Sequence, residues 1–206
     1  MSRARIAVFA SGGGTNLQSL IDAEQAGALP DGTIALVIAD KPGIGAIERA
    51  ERAGIPAVVI PRKEEGFEEK VLAALRENDI DMGILAGFLG ILSADFLRRF
   101  DAPVLNIHPS LIPSFCGKGF YGLKVHKAAL DYGVKVTGAT VHYVNEIPDG
   151  GKIILQKAVE VEPDDSPATL QRSVMEQAEW VIRPQAAQMV AAELNRKKGG
   201  PAQENA

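Results

Sequence analysis

Five short apolar runs, at residues 6–10, 34–39, 57–60, 82–86 and 104–107, alternate with segments of helical spacing at 17–26, 46–53, 67–77 and 94–100. No other feature limits the possible folds as strongly. Short runs rich in Val and Ile, separated by stretches with a 3.6-residue period, imply βαβ units and a parallel sheet. The runs are almost continuously apolar, which suits central strands covered on both faces. The expected fold class is therefore α/β, with a Rossmann-like, open, mostly parallel sheet and helices on both faces.

The pattern changes after residue 107. Residues 108–122 are rich in Pro, Gly and Ser and read as a long irregular loop, a kind of loop often tied to function. A helix is expected at 123–132, then strand-like runs at 138–144 and 152–159 separated by a polar loop at 145–151. Leu170, Val174, Ala178, Val181 and Ile182 mark a long C-terminal helix over 166–196, with a bend expected at Pro184. Residues 1–196 read as one domain and 197–206 as a disordered tail.

Composition narrows the function classes. A hydrophobic content of 46% is enough for a sizeable core. A net charge of -4 is no basic footprint for nucleic acid, so any anion must be held by a local site. Cys116 is the only cysteine, which excludes an internal disulfide and a cysteine metal cluster and suits a reducing compartment. The first strand follows Met1 closely with no leader, and no apolar run has the length of a membrane span. The expected location is cytoplasmic.

Three clusters carry chemistry. Ser11-Gly12-Gly13-Gly14-Thr15-Asn16 joins the first strand to the first helix. Such a loop can turn backbone N–H groups toward a phosphate at a helix N-terminus. Leu17 stands where a dinucleotide fingerprint has its third Gly, and no Gly-Lys-Ser/Thr follows, so a terminal phosphate fits better than a pyrophosphate. A tight turn capped by Thr15 or Asn16 would use the same residues.

Asn106-Ile107-His108-Pro109-Ser110 ends the fifth strand, where ligands of open α/β sheets bind. Strand alternation places Asn106 and His108 on one side, able to donate to an oxyanion. Asp149, in Asp149-Gly150-Gly151, is a turn residue that becomes chemical if the fold brings it to His108, where it would favour the imidazolium form. His126 and His142 read as structural, Cys116 has no assignable base, and the scattered histidines form no metal motif.

Residues 106–113 (Asn-Ile-His-Pro-Ser-Leu-Ile-Pro), with Thr140-Val141-His142 and Asp149-Gly150-Gly151 downstream, resemble the folate-dependent formyltransferase family over residues 5–184. The glycine loop with Thr15, Asn16, Leu17 and Gln18 resembles the branch whose acceptor is glycinamide ribonucleotide. The resemblance implies a formyltransferase fold and transfer of the formyl group of 10-formyltetrahydrofolate, the cosubstrate, to the ribonucleotide amine in purine biosynthesis. It implies Asn106, His108 and Asp149 as the catalytic group. Gly13, Gly14, Thr15 and Asn16 would hold the phosphate and Glu179 the amino group. The Phe88-Leu89-Gly90-Ile91-Leu92 segment, with Asn106, would line the folate pocket. Some relatives carry Arg at the position of Gly90, and the basic folate contact has no clear match, Arg62 or Lys63 being the candidates. Lys118 has no transferable role.

The partners expected are small molecules, with no metal, nucleic acid or membrane; a homodimer is compatible with the sequence. Rival readings are a formyltetrahydrofolate hydrolase, whose relatives carry an extra N-terminal domain, and methionyl-tRNA formyltransferase, whose relatives carry a C-terminal nucleic-acid-binding domain. Outside the family stand a nicotinamide-dependent oxidoreductase, using the glycine loop and Asp40, and a non-catalytic phosphoribosyl-ligand module.

Overall fold

The computed structural model describes residues 3–199. A seven-stranded sheet of order β3-β2-β1-β4-β5-β6-β7 forms its centre. Strands β1 (Ala4–Ala10), β2 (Gly32–Ala39), β3 (Ala57–Val59), β4 (Met82–Leu85) and β5 (Val104–His108) pair in parallel. β6 (Val136–Tyr143) and β7 (Ile153–Glu160) add an antiparallel edge. The βαβ half of the chain follows the expected alternation, with helices α1 (Thr15–Gln25), α2 (Gly45–Arg52), α3 (Phe67–Glu77) and α4 (Ala94–Phe100).

Strand alternation divides the core into two layers. Ile6 and Val8 of β1 pack with Leu17, Leu20, Ala186 and Val190 on one face. Ala7 and Phe9 pack with Val71, Leu72 and Phe96 on the other. All of these side chains are almost wholly removed from water. Burial of each large one stabilises the fold by about 1.5–3 kcal/mol.

The chain runs outward from β1 to β3, then returns to build β4 and β5 on the opposite side of β1. β1 and β4 therefore flank the point where strand order reverses, the usual ligand crevice of an open α/β sheet. The glycine loop leaves β1 there, and the Phe88 segment leaves β4.

The last third departs from expectation in two ways. Ser166 caps α6 (Pro167–Val174) through a capping box with Thr169, and Pro167 fits the first turn, where its missing N–H is harmless. The helical rod is interrupted by a π-helical turn at Met175–Glu179, ahead of the expected bend at Pro184. Pro184 lies inside α7 (Trp180–Gly199), where it withholds an N–H from the carbonyl four residues back, at Trp180. The rod also continues through Lys197 and Lys198, which the sequence reading assigned to the tail; residues 200–206 lie outside the described residues.

Candidate active site

Asn106 and His108 sit at the end of β5, and register with β6 places His142 directly opposite Asn106. Asn106 Nδ2 lies 3.2 Å from His142 Nε2. The loop after β6 folds back over this pair. Within it the Gly150 N–H closes a turn on the Ile147 carbonyl, and Asp149 takes a left-handed φ of 55°, which Asp tolerates better than most residues. Asp149 Oδ2 thereby comes 3.4 Å from His108 Nδ1, and Oδ1 comes 3.6 Å from His142 Nε2. The fold thus unites Asn106, His108 and Asp149 and adds His142, which the sequence reading left as structural. His142 donates from Nδ1 to the Tyr143 carbonyl at 2.8 Å. Its Nε2 then accepts from Asn106 when the ring is neutral, or donates to Asp149 when it is protonated.

Burial by itself would raise the Asp149 pKa. The hydrogen bond from His142, the charge of His108 and the Gly117 N–H at 2.8 Å outweigh it and hold the carboxyl below its usual range. Asp149 is therefore ionised at neutral pH.

The irregular segment 108–122 closes the other side. The Phe115 carbonyl takes His108 Nε2 at 2.8 Å, with Phe115 at a positive φ of 49°. Thr140 ties the loop to β6 by donating to the Ser110 carbonyl at 2.7 Å and accepting from the Ile112 N–H at 3.1 Å. Burial, then the charge of Asp149, push the Cys116 thiol up, the wrong direction for a nucleophile. Behind the loop His126 is fully buried on α5 (Leu123–Tyr132), and neither ring nitrogen has a partner among the described residues. Desolvation, then the charge of His108, lower its pKa to about 4, so it is neutral.

The glycine loop lies beside this group. Gly14, not Thr15 or Asn16, is the cap of α1, with φ 75° and no side-chain cap bond. A Cβ on Gly14 would stand 2.7 Å from the Ala46 backbone, so both conformation and space require glycine. Arg49 donates from Nε to the Gly13 carbonyl at 2.8 Å, placing a cation at the loop. The first N–H groups of α1 have no carbonyl partner by helix geometry and remain to serve an anion. The Asn16 side chain does not point freely into this space. It donates to Glu179 Oε2 at 3.3 Å and accepts from Trp180 Nε1 at 3.2 Å. The predicted Glu179 therefore reaches the glycine loop from the end of the π turn.

A cleft of about 140 Å³ opens onto Asn106, His142 and Asp149. Phe88, Gly90, Ile91 and Leu92 line it, facing Ile147 and Pro148. Leu89 does not; it is 60% exposed, and its N–H donates to Ser11 Oγ. Ile91 and Ile147 are also exposed, so the mouth is apolar. Arg62 lies across this segment. A Cβ on Gly90 would stand 2.5 Å from the Phe88 ring and 2.8 Å from Arg62 Cδ, so these two side chains occupy the space a side chain there would need. Its Nε pairs at 2.6 Å with the buried Asp40, which also accepts from Ser11 Oγ at 2.9 Å. Both contacts use Oδ2, and Oδ1 is sealed from water without a partner among the described residues, so burial keeps Asp40 from the ribose hydroxyls that a nicotinamide dinucleotide would present.

A larger cavity, about 510 Å³, lies at the opposite ends of β1 and β4, lined by Arg3, Arg5, Arg76, Asp81 and Lys198 among others, and holds none of the predicted residues. Among the described residues no group of three or more His, Cys, Asp or Glu could share a metal ion, and no helix is long and apolar enough to cross a membrane.

Comparison with known proteins agrees with this arrangement. The family model "Formyl transferase" matches residues 4–186. The human trifunctional purine biosynthetic protein adenosine-3 is 44% identical over 92% of this chain, which spans 18% of that protein's length. Phosphoribosylglycinamide formyltransferase of Haemophilus influenzae is 39% identical over 87% of this chain and 84% of its own. The crystal structure of phosphoribosylglycinamide formyltransferase from Brucella melitensis superposes with a TM-score of 0.84 at 40% identity, covering 93% of this chain and 97% of the other. With Asn106, His108 and Asp149 brought together at the end of β5 and a family model matching most of its length, this chain belongs to the formyl transferase family.

Proposed function

We propose that the chain transfers the formyl group of 10-formyltetrahydrofolate to the amine of glycinamide ribonucleotide, giving formylglycinamide ribonucleotide and tetrahydrofolate. The observation that carries this reading is the convergence of three parts on one crevice: the Asn106–His108–Asp149 group, the apolar Phe88–Leu92 cleft and the glycine loop. The cleft would take the folate ring. The Gly13-Gly14-Thr15-Asn16 backbone would take the phosphate, with Glu179 accepting a hydrogen bond from the acceptor amine. The names of the H. influenzae and B. melitensis relatives support this choice of acceptor.

The amine attacks the formyl carbon, and the carbonyl π pair moves onto oxygen. The Asn106 amide and protonated His108 stabilise that oxyanion. Removing one such donor typically costs about 3 kcal/mol. To donate through Nε2, His108 exchanges the Phe115 carbonyl for the oxyanion. Collapse of the intermediate breaks the bond to the folate nitrogen, and the amine's proton passes to that nitrogen. Asp149 orients His108 and relays the proton through water. The single free Cys116 suits a reducing, cytoplasmic setting.

The test is turnover of 10-formyltetrahydrofolate with and without glycinamide ribonucleotide, alongside His108→Ala. Release of tetrahydrofolate that needs the ribonucleotide and collapses in the variant is expected. Release without any acceptor would move the assignment to a hydrolase, and no release at all would reject a folate enzyme.

A further inference from the structure

Arg183 on α7 is among the most completely buried side chains of the protein, at 2% exposure, and it carries a charge. Its Nη2 donates to Glu179 Oε2 at 3.2 Å. Its Nε and Nη1 are sealed from water and meet no partner among the described residues. Burial pulls its pKa down, with the charge and hydrogen bond of Glu179 opposing, to about 10, so Arg183 is still a cation at neutral pH.

Such a pair is a poor device for stability. Desolvating two charges cancels much of their attraction, and apolar replacements of similar volume are often as stable or more so. Orphaned guanidinium N–H groups make the balance worse. What the pair does supply is a fixed carboxylate orientation at the end of the π turn. π turns insert an extra residue into a helix and recur at functional sites. Here the turn ends on Glu179, which faces Asn16 of the glycine loop. Oε2 takes the donors from Asn16 and Arg183, and Oε1 has no protein donor among the described residues. Glu179 is only 6% exposed, so Arg183 fixes which way its carboxylate turns.

We infer that Arg183 is a positioning residue for the acceptor substrate: from inside the helix layer it holds Glu179 by Oε2, so that Oε1 is turned to receive the acceptor's amine. The inference rests on the proposed assignment of Glu179 to that amine. Arg183 touches no substrate, and its effect passes entirely through Glu179. The polar chain Arg183–Glu179–Asn16–Trp180 then links α7 to the loop proposed for the phosphate, so both ends of the acceptor are held by one connected unit.

Steady-state kinetics of Glu179→Gln, Arg183→Met, Arg183→Lys and Glu179→Gln/Arg183→Met test it, with thermal melting of each. Arg183→Met is expected to raise KM for glycinamide ribonucleotide about tenfold or more, while KM for 10-formyltetrahydrofolate stays within about twofold. Arg183→Lys should restore much of the loss. The double variant should match Glu179→Gln in kinetics, because the two residues act as one unit, and should melt no lower than the parent protein. If Glu179→Gln impairs the acceptor and Arg183→Met does not, the role of Arg183 is rejected and the Glu179 assignment stands. If Glu179→Gln leaves the acceptor KM unchanged, the Glu179 assignment fails first. Should Arg183→Met not fold, the double variant decides: kinetics worse than Glu179→Gln would reject coupling, and equal kinetics would uphold it.

Discussion

Asp149 Oδ2 stands 3.4 Å from His108 Nδ1, across two loops that are distant in sequence. The Phe115 carbonyl holds the opposite ring nitrogen at 2.8 Å. Both partners are acceptors, so an imidazolium has a place for each of its N–H groups. Asp149→Asn removes the charge with little change in shape. It is expected to lower kcat by about a hundredfold or more, with the melting temperature little changed. Near-parental turnover in Asp149→Asn would sink the catalytic assignment.

His142 contacts Asn106 at 3.2 Å and lies opposite it in the β5–β6 register. Replacement by Phe keeps the bulk and frees the Asn106 amide to rotate. A misplaced donor of this kind costs up to about a hundredfold in rate. His142→Phe is therefore expected to lower kcat by ten- to a hundredfold, with smaller changes in both KM values. Unchanged kinetics would return His142 to a purely structural role.

Gly14 combines a φ of 75° with a 2.7 Å approach to Ala46 for any added Cβ. Gly14→Ala is expected to destabilise the fold by about 1–3 kcal/mol, readable in urea titration. It should also raise KM for the ribonucleotide, since the loop backbone must shift. A variant as stable as the parent would show that the loop relaxes freely.

His126 makes the protein sensitive to acid. The native state keeps it neutral down to a pKa of about 4, while the unfolded chain protonates it near 6.5. Between those values the unfolded state binds the extra proton. Stability therefore falls as pH drops through that window, by about 3 kcal/mol, and this residue contributes no pH dependence above it. His126→Leu should abolish that part of the loss. Urea midpoints at pH 7 and pH 4.5 measure it, and an undiminished difference in the variant would exclude His126 as its source.

The alternating runs determined the parallel sheet and its helices, because period and apolarity are local properties that the folded state keeps. The motif around Asn106 and His108 was legible for the same reason, since two residues on one face of one strand need no tertiary information. Asp149 was legible only as a turn, and its partner could not be read from spacing. Three relationships were invisible in the sequence. His142 became part of the site through the antiparallel register with β5. Asn16 turned toward Glu179 and Trp180, though the loop alone offered it to a phosphate. The helix interruption fell at Met175–Glu179 rather than Pro184. Each depends on contacts between segments far apart in the chain, and a single sequence records composition and period, not which distant side chains meet. The chain by itself thus determined which residues could do chemistry; packing across the β5–β6 pairing and beneath α7 decided which of them meet.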